Sequence, residues 1–78
     1  MAHLSFTRAQ AQAKIGKRVL PRVTYAGVPQ GAVGTIVRVD RVIDGYNVKV
    51  AWVWSGRHTP WVDWFTREEY KARVTEPE

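Results

Sequence analysis

Apolar and polar residues alternate through the middle of this chain. Between residues 46 and 54, every second position is apolar: Tyr46, Val48, Val50, Trp52 and Trp54. Because successive side chains of a β-strand point to opposite faces, these five lie on one face of a strand. An all-apolar face is typical of the core side of a sheet. The pattern therefore predicts a strand over residues 46–54 with Trp52 in the core.

Two apolar runs before this segment predict further strands. Residues 18–25 hold β-branched and aromatic side chains around Pro21, which favours an edge position or a bulge. Residues 32–40 also have the composition of a strand, and Gly34 within them indicates a bend or a close backbone approach. We expect both segments to belong to one sheet.

A turn signal and two short apolar runs complete the predicted sheet. Asp44-Gly45 is typical of a tight turn, so residues 35–39 and 46–54 should form an antiparallel hairpin. Residues 61–65 predict a fourth strand, and residues 73–75 predict a brief closing strand. The expected class is mainly β, with five strands.

Two capping boxes predict helices. Thr7 and Gln10 form one box at the start of a predicted helix over residues 5–15. Thr66 and Glu69 form another, which predicts one helical turn before the last strand. The first helix, of about two turns, is too short to be stable alone and must dock on the rest of the chain or fray.

The predicted order of elements resembles small Src-homology-3-like β-barrels. Residues 31–40 resemble the G-x-x-G-x-V pattern of KOW-type and Tudor-type barrels, and residues 44–52 resemble its partner strand. The resemblance implies a five-stranded, partly open barrel over residues 17–75. Barrels of this class bind proline-rich peptides, methylated side chains, nucleic acid or ribosomal surfaces, so the class does not select a ligand. Residues 27–31 and 63–70 also look like segments of small uncharacterised bacterial proteins.

The chain length and its cysteine content limit the remaining possibilities. A chain of 78 residues is the size of one small domain, so we expect a single domain over residues 1–78 with a frayed tail at 76–78. The sequence has no cysteine, which excludes disulfides and thiolate metal sites and favours a cytoplasmic location. No segment approaches the roughly 18 apolar residues of a membrane span, so we expect no membrane partner.

Residues suited to catalysis or metal binding are few. His3 and His58 are the two histidines, and a pair of His58 with Asp63 is the one acid-base arrangement that the sequence suggests. We expect no metal site, no cofactor and no catalytic activity. A less favoured alternative is an oligomeric barrel enzyme with an active site at a subunit interface, and a homo-oligomer without activity also stays open.

The aromatic residues are the preferred candidate site. Trp61 and Trp64 are three positions apart, so they face opposite sides of an extended strand. Trp54 and Trp61 flank a loop. Together with Trp64, Tyr25 and residues 26–31 they predict an aromatic surface for a protein or peptide partner. The competing interpretation is that Trp54 and Trp61 only cover the open end of the barrel.

The uneven charge supports an alternative partner. The net charge is +5, and the first 43 residues carry seven basic side chains against Asp40 alone. A basic half of this kind is compatible with nucleic-acid binding. The arginines assigned to that alternative are Arg18, Arg22, Arg38, Arg41 and Arg57.

Overall fold

The centre of the fold is the antiparallel hairpin that the alternation predicts. In the computed structural model, strand β2 (Val33–Val42) pairs with strand β3 (Gly45–Val53) along its whole length. The connecting turn consists of Ile43 and Asp44, so it begins one residue earlier than the predicted Asp44-Gly45 turn. The pairing shifts register between Ile36 and Arg38, which leaves Val37 without an opposite residue.

Three further strands extend this hairpin into one open sheet. The structure describes residues 5–22, 27–56 and 59–77, and within them the remaining strands are β1 (Arg18–Pro21), β4 (Trp61–Phe65) and β5 (Val74–Thr75). The strand order is β4-β3-β2-β1-β5, and every neighbouring pair is antiparallel. The predicted mainly-β class with five strands is confirmed.

The two capping boxes form as predicted, and both start short helices. Helix α1 (Arg8–Lys14) is shorter than the predicted 5–15 because Thr7 is its N-cap; the Thr7 hydroxyl accepts from the Gln10 N–H, and the Gln10 side chain accepts from the Thr7 N–H. Helix α2 (Arg67–Arg73) has seven residues and therefore about two turns, not the single turn predicted. Thr66 and Glu69 make the equivalent pair of bonds at its start.

The N-terminal segment is fixed to the start of β3. The backbone N–H of Phe6 donates to the carbonyl of Tyr46 at 3.0 Å, and the N–H of Tyr46 donates to the carbonyl of Phe6 at 2.9 Å. The hydroxyl of Ser5 donates to Asp44 Oδ1 at 2.9 Å. These bonds hold α1 against the sheet, as the marginal stability of so short a helix requires.

The core lies between the inner face of the sheet and the two helices. Its larger members include two edge-to-face ring pairs, Trp52 with Phe65 (centroids 6.5 Å apart) and Phe6 with Tyr70 (5.5 Å). Trp52 is fully buried, which confirms the prediction from alternation. The other buried apolar residues are Ala11, Val19, Val28, Ala32, Ile36, Val48, Val50 and Val74.

Gly34 of β2 lies tightly against two buried side chains of β3. A Cβ atom at this position would lie 2.6 Å from Val50 Cγ1 and 2.8 Å from the ring of Trp52. Real Cβ atoms do not make contacts this short, so only glycine fits here without displacement. Glycine is required here by the packing of two side chains of β3, whereas the sequence had indicated a bend or a close backbone approach.

The predicted ends of the sheet need correction. Strand β1 ends at Pro21, which pairs with Val74 of β5, and residues 23–25 of the predicted strand lie outside the described residues. The tail was expected to fray from residue 76, but Glu76 is held by hydrogen bonds from three side chains. Within the described part of the chain, no helix is long and apolar enough to cross a membrane.

Candidate functional site

Strand β4 carries two of the predicted site tryptophans and lies at the end of the sheet. It pairs with β3 in a register that places Trp61 opposite Trp52 and Phe65 opposite Val48. On its other side, β4 has no neighbouring strand among the described residues. A strand in this position is where a sheet accepts an added strand.

The two tryptophans of β4 face opposite sides of the sheet. Trp61 shares the inner face with Phe65, whereas Trp64 shares the outer face with Val62. Their exposed fractions are 40% for Trp61, 50% for Val62 and 37% for Trp64. The predicted aromatic surface is therefore divided between the two faces of one strand and does not form a single platform.

Trp54 lies close to Trp61 but is less exposed. It follows the last residue of β3, two positions after Trp52, and Trp61 is the cross-strand partner of Trp52. Trp54 and Trp61 are thus both neighbours of Trp52 at one end of the β3–β4 pair. Trp54 is half-buried and packs against the core. The fourth predicted aromatic residue, Tyr25, lies outside the described residues.

The loop predicted to contribute to this site, residues 26–31, is partly buried in the core. Val28 in the predicted contact segment 26–31 is completely buried, whereas Gly27, Gln30 and Gly31 are exposed. Ala26 lies outside the described residues. Among the described residues of the loop, Gly27, Gln30 and Gly31 are accessible to a partner and Pro29 is half-buried.

The outer face of the sheet continues the apolar surface of β4 toward β2. Val53 lies opposite Val33, and Ala51 lies between Thr35 and Val62. Val33 and Val53 are exposed in addition to Val62 and Trp64. Together these six residues, Val33, Thr35, Ala51, Val53, Val62 and Trp64, form what we call the outer apolar patch.

Basic side chains border the outer apolar patch. Arg38 lies opposite Lys49, and Lys49 lies opposite Trp64. The Lys49 ammonium is 5.4 Å from the centroid of the Trp64 ring, a distance at which a cation is attracted to the face of an indole. Arg18 is on the same face, opposite Thr35.

The arginines of the nucleic-acid alternative do not share one surface. Arg18 and Arg38 lie on the outer face, whereas Arg41 lies opposite Tyr46 on the inner side of the hairpin. Arg22 lines a separate cavity near the helices. Arg57 lies outside the described residues, as do His3 and His58, so the suggested pair of His58 with Asp63 cannot be placed.

That cavity is a second candidate site, which the sequence did not reveal. It has a volume of about 650 Å³ and lies where α1, α2, β1 and β5 meet. Its lining includes five basic residues: Lys14, Lys17, Arg22, Arg67 and Lys71. Phe6, Ala13, Tyr70 and Val74 supply apolar wall. We call this the basic cavity.

Glu76 is the one acidic residue that the described part of the chain contributes to the lining of the basic cavity. It forms ion pairs with Lys14 and Lys17, and the Tyr70 hydroxyl donates to Glu76 Oε2 at 2.6 Å. The hydrogen bonds from Lys14 and from Tyr70 lower the pKa of Glu76 to about 2. Burial, and then the bond to Glu76, raise the pKa of Tyr70, so its hydroxyl stays protonated and remains a donor.

The basic cavity leaves no local pattern in the sequence. Its basic residues lie in α1, in the segment between α1 and β1, directly after β1, and in α2. They therefore span positions 14 to 71. No two of them are adjacent in the chain. The available signal was the excess of basic residues in the first 43 positions, which does not say where they meet.

The described residues do not point to a metal centre. They contain no group of three or more His, Cys, Asp and Glu side chains that could hold a metal ion. What they present is an exposed aromatic strand, an apolar sheet face and a basic cavity.

The fold and these surfaces define a small mainly-β domain with a five-stranded open sheet and two short helices. The model of the family described as mouse development and cellular proliferation protein Cullin-7 matches residues 5–70, and the chain belongs to this family. Neither the curated proteins nor the solved structures contain a significant match. The family match is not an assignment to Src-homology-3-like barrels, so that resemblance stays a prediction.

Proposed function

We propose that this protein is a non-enzymatic binding module that takes up an extended segment of another protein along β4. The observation that carries the proposal is the exposure of Trp61 and Trp64 on the strand at the end of the sheet. Large aromatic side chains are enriched at the centres of protein interfaces, where they contribute much of the binding free energy. The resemblance to Src-homology-3-like barrels, many of which bind peptides, supports the same class of function.

The geometry of β4 favours an extended partner. A peptide that adds to the edge of a sheet gains main-chain hydrogen bonds, while its alternate side chains contact the two faces. On the outer face those side chains would meet Val62 and Trp64, and on the inner face they would meet Trp61 beside Trp54. Exposed tryptophans on both faces of one strand suit this mode better than they suit a flat partner, which would contact one face.

The outer apolar patch would enlarge such an interface. It spans three neighbouring strands, from Val33 through Val53 and Ala51 to Val62. Apolar side chains of the docked segment, or of the structure behind it, would cover this patch and remove it from water. Patches of exposed apolar side chains rimmed by polar residues are typical of interaction sites.

A selection experiment tests the proposal. Random 12-residue peptides displayed on phage are selected on the wild-type protein, and the affinity of one selected peptide is measured for Trp61→Ala, Trp64→Ala and Ile43→Ala. Ile43 is a matched apolar control, because it is fully exposed at the hairpin turn, away from β4. We expect each tryptophan substitution to weaken binding by about tenfold or more, and Ile43→Ala to change it little.

Amide chemical shifts locate the bound peptide independently. In the ¹⁵N-labelled protein, titration should perturb the amides of β4 and of the facing residues of β3. The proposal would be contradicted if the peptide changed the amide chemical shifts of other elements only, or if the tryptophan variants and Ile43→Ala bound it with equal affinity. Tight binding of oligonucleotides that weakens steeply with salt and depends on Arg18, Arg38 and Arg41 would favour the nucleic-acid alternative instead.

A further inference from the structure

The basic cavity has far more positive charge than its own acid neutralises. Among the described residues that line it, five are basic and Glu76 is the one acidic residue. Lys14 and Lys17 pair with Glu76, but Arg22, Arg67 and Lys71 make no ion pair with any residue in the described part of the chain. Concentrated charge of one sign in a concave surface raises the local concentration of ions of opposite sign. The cavity is therefore set up to attract an anionic group.

The type of anion is indicated by the group already present. The Glu76 carboxylate belongs to the extended segment that follows β5, and it is bound by two ammonium groups and a hydroxyl. The cavity thus already accommodates the acidic side chain of an extended peptide. The guanidinium groups of Arg22 and Arg67 add donors whose planar geometry matches a carboxylate.

The walls of the cavity suit a peptide as well. The ring of Tyr70 lies 4.7 Å from the Lys14 ammonium, and the ring of Phe6 lies 5.6 Å from it, so the cation is held between aromatic groups. Apolar side chains next to fixed cations bind a segment in which acidic and apolar residues occur together. The volume of about 650 Å³ lies within the roughly 300–1,000 Å³ common for ligand sites.

The arrangement is less suited to nucleic acid. A nucleic-acid strand presents phosphates at regular intervals, and proteins that track it place cations along a groove. Here the basic residues surround one cavity, and Arg18, Arg38 and Arg41 lie outside its lining. A peptide with one or two carboxylates matches this distribution of charge more closely.

We propose that the basic cavity between α1 and α2 is a binding site for an acidic peptide segment of a partner protein, and that Glu76 occupies it as an internal competitor. An incoming carboxylate would pair with Arg22, Arg67 and Lys71 and would compete with Glu76 for Lys14 and Lys17. This site shares no residue with the aromatic strand β4, so it does not depend on the function proposed above.

Substitution of the internal carboxylate gives the sharpest test. The probe is a fluorescein-labelled peptide that contains residues 74–78 of this chain twice in tandem, and its binding is followed by fluorescence anisotropy at low salt. Glu76→Gln should bind the probe about fivefold more tightly than the wild type, because a competitor is lost and two lysines are released. Glu68→Gln is the matched control, since Glu68 is exposed on α2 and does not line the cavity.

Two further measurements identify the binding site and the class of ligand. The double variant Arg67→Gln with Lys71→Gln should weaken binding about tenfold or more, with an unchanged near-ultraviolet circular dichroism spectrum showing that the fold is intact. A probe with glutamine in place of every glutamate should bind at least tenfold more weakly than the acidic probe. Trp61→Ala and Trp64→Ala should leave acidic-probe binding unchanged, which separates this site from the β4 surface.

Several results would overturn the inference. Absence of binding by the acidic probe would do so, as would equal effects of Glu76→Gln and Glu68→Gln. Equal affinity for the glutamine probe would show that carboxylates are not recognised. Tighter binding of a single-stranded oligonucleotide that depends on Arg67 and Lys71 would assign the cavity to nucleic acid.

Discussion

Replacing Gly34 with alanine tests how closely β2 and β3 approach each other. The added Cβ would lie 2.6 Å from Val50 Cγ1 and 2.8 Å from two carbons of the Trp52 ring. Both neighbours are fully buried, so neither can move away without disturbing the rest of the core. The backbone of Gly34 is not in the left-handed region, so the cost comes from steric overlap and not from the backbone conformation.

The size of the effect follows from two opposing contributions. Forcing an extra methyl group into a packed core costs about 1–3 kcal/mol. Alanine in a strand also recovers about 0.5–1 kcal/mol, because glycine loses more backbone freedom on folding. We therefore expect Gly34→Ala to lower the free energy of unfolding by about 1–2 kcal/mol, which corresponds to roughly 4–15 °C in Tm for a domain of this size.

Urea unfolding followed by far-ultraviolet circular dichroism measures this difference without relying on Trp52 fluorescence, which the substitution itself would alter. Gly31→Ala is the control, because no described residue other than its chain neighbours has an atom within 4 Å of the added Cβ, and its φ is outside the left-handed region. We expect Gly31→Ala to be neutral or stabilising by up to about 1 kcal/mol. If both variants unfold at the same urea concentration, the close packing of Gly34 on Val50 and Trp52 is refuted.

Three further substitutions have defined outcomes. Thr66→Ala removes the N-cap of α2 and should lower the free energy of unfolding by about 1 kcal/mol in thermal denaturation. Phe65→Ala should cost about 3–5 kcal/mol because the ring is buried, whereas the adjacent Trp64→Ala, with a partly exposed ring, should cost much less in the same assay; equal losses would contradict the assignment of the two faces. Because the pKa of Glu76 is lowered from 4.5 to about 2, the ionised carboxylate stabilises the folded protein fully above pH 4.5, and this contribution is lost as the pH falls toward 2. Between pH 4.5 and 2 the free energy of unfolding of the wild type should therefore fall by about 1 kcal/mol more than that of Glu76→Gln, a value reduced for the solvent exposure of the ion pairs. Glu68→Gln should follow the wild type. Acid titrations monitored by circular dichroism measure both differences.

Two surfaces with different chemistry would allow this domain to bind one partner in two places or two partners in turn. The β4 surface is aromatic and apolar, and the basic cavity is lined by cations. They have no lining residue in common. Linked binding at two sites can strengthen association well beyond either site alone, provided that the partner spans the distance between them.

The elements of the fold were the most predictable part. Both capping boxes were read from residues three positions apart, because their hydrogen bonds connect side chains and backbone groups within one helical turn. The burial of Trp52 followed from the alternation in β3, since the period of a strand fixes which residues share a face. The ends of the helices and turns were predicted less accurately: the hairpin turn begins one residue earlier than expected, and α2 is longer than expected.

The candidate sites were predicted less well. The sequence indicated that Trp61 and Trp64 face opposite ways, but not that β4 would be the last strand of the sheet with both rings partly exposed. The sequence left open whether Trp54 and Trp61 are exposed, and in the structure Trp54 packs against the core whereas Trp61 is partly exposed. Strand order decides these outcomes, because exposure depends on which neighbours cover each face.

The sequence by itself determined the β-rich class, the central hairpin and the two helix starts. Each of these depends on interactions between residues close in the chain or on the two-residue period of a strand. Only the tertiary structure decided the basic cavity, in which Lys14 and Glu76 meet across 62 positions of sequence. That contact requires α1 to pack beside α2 and β5, and no local pattern specifies how distant elements pack.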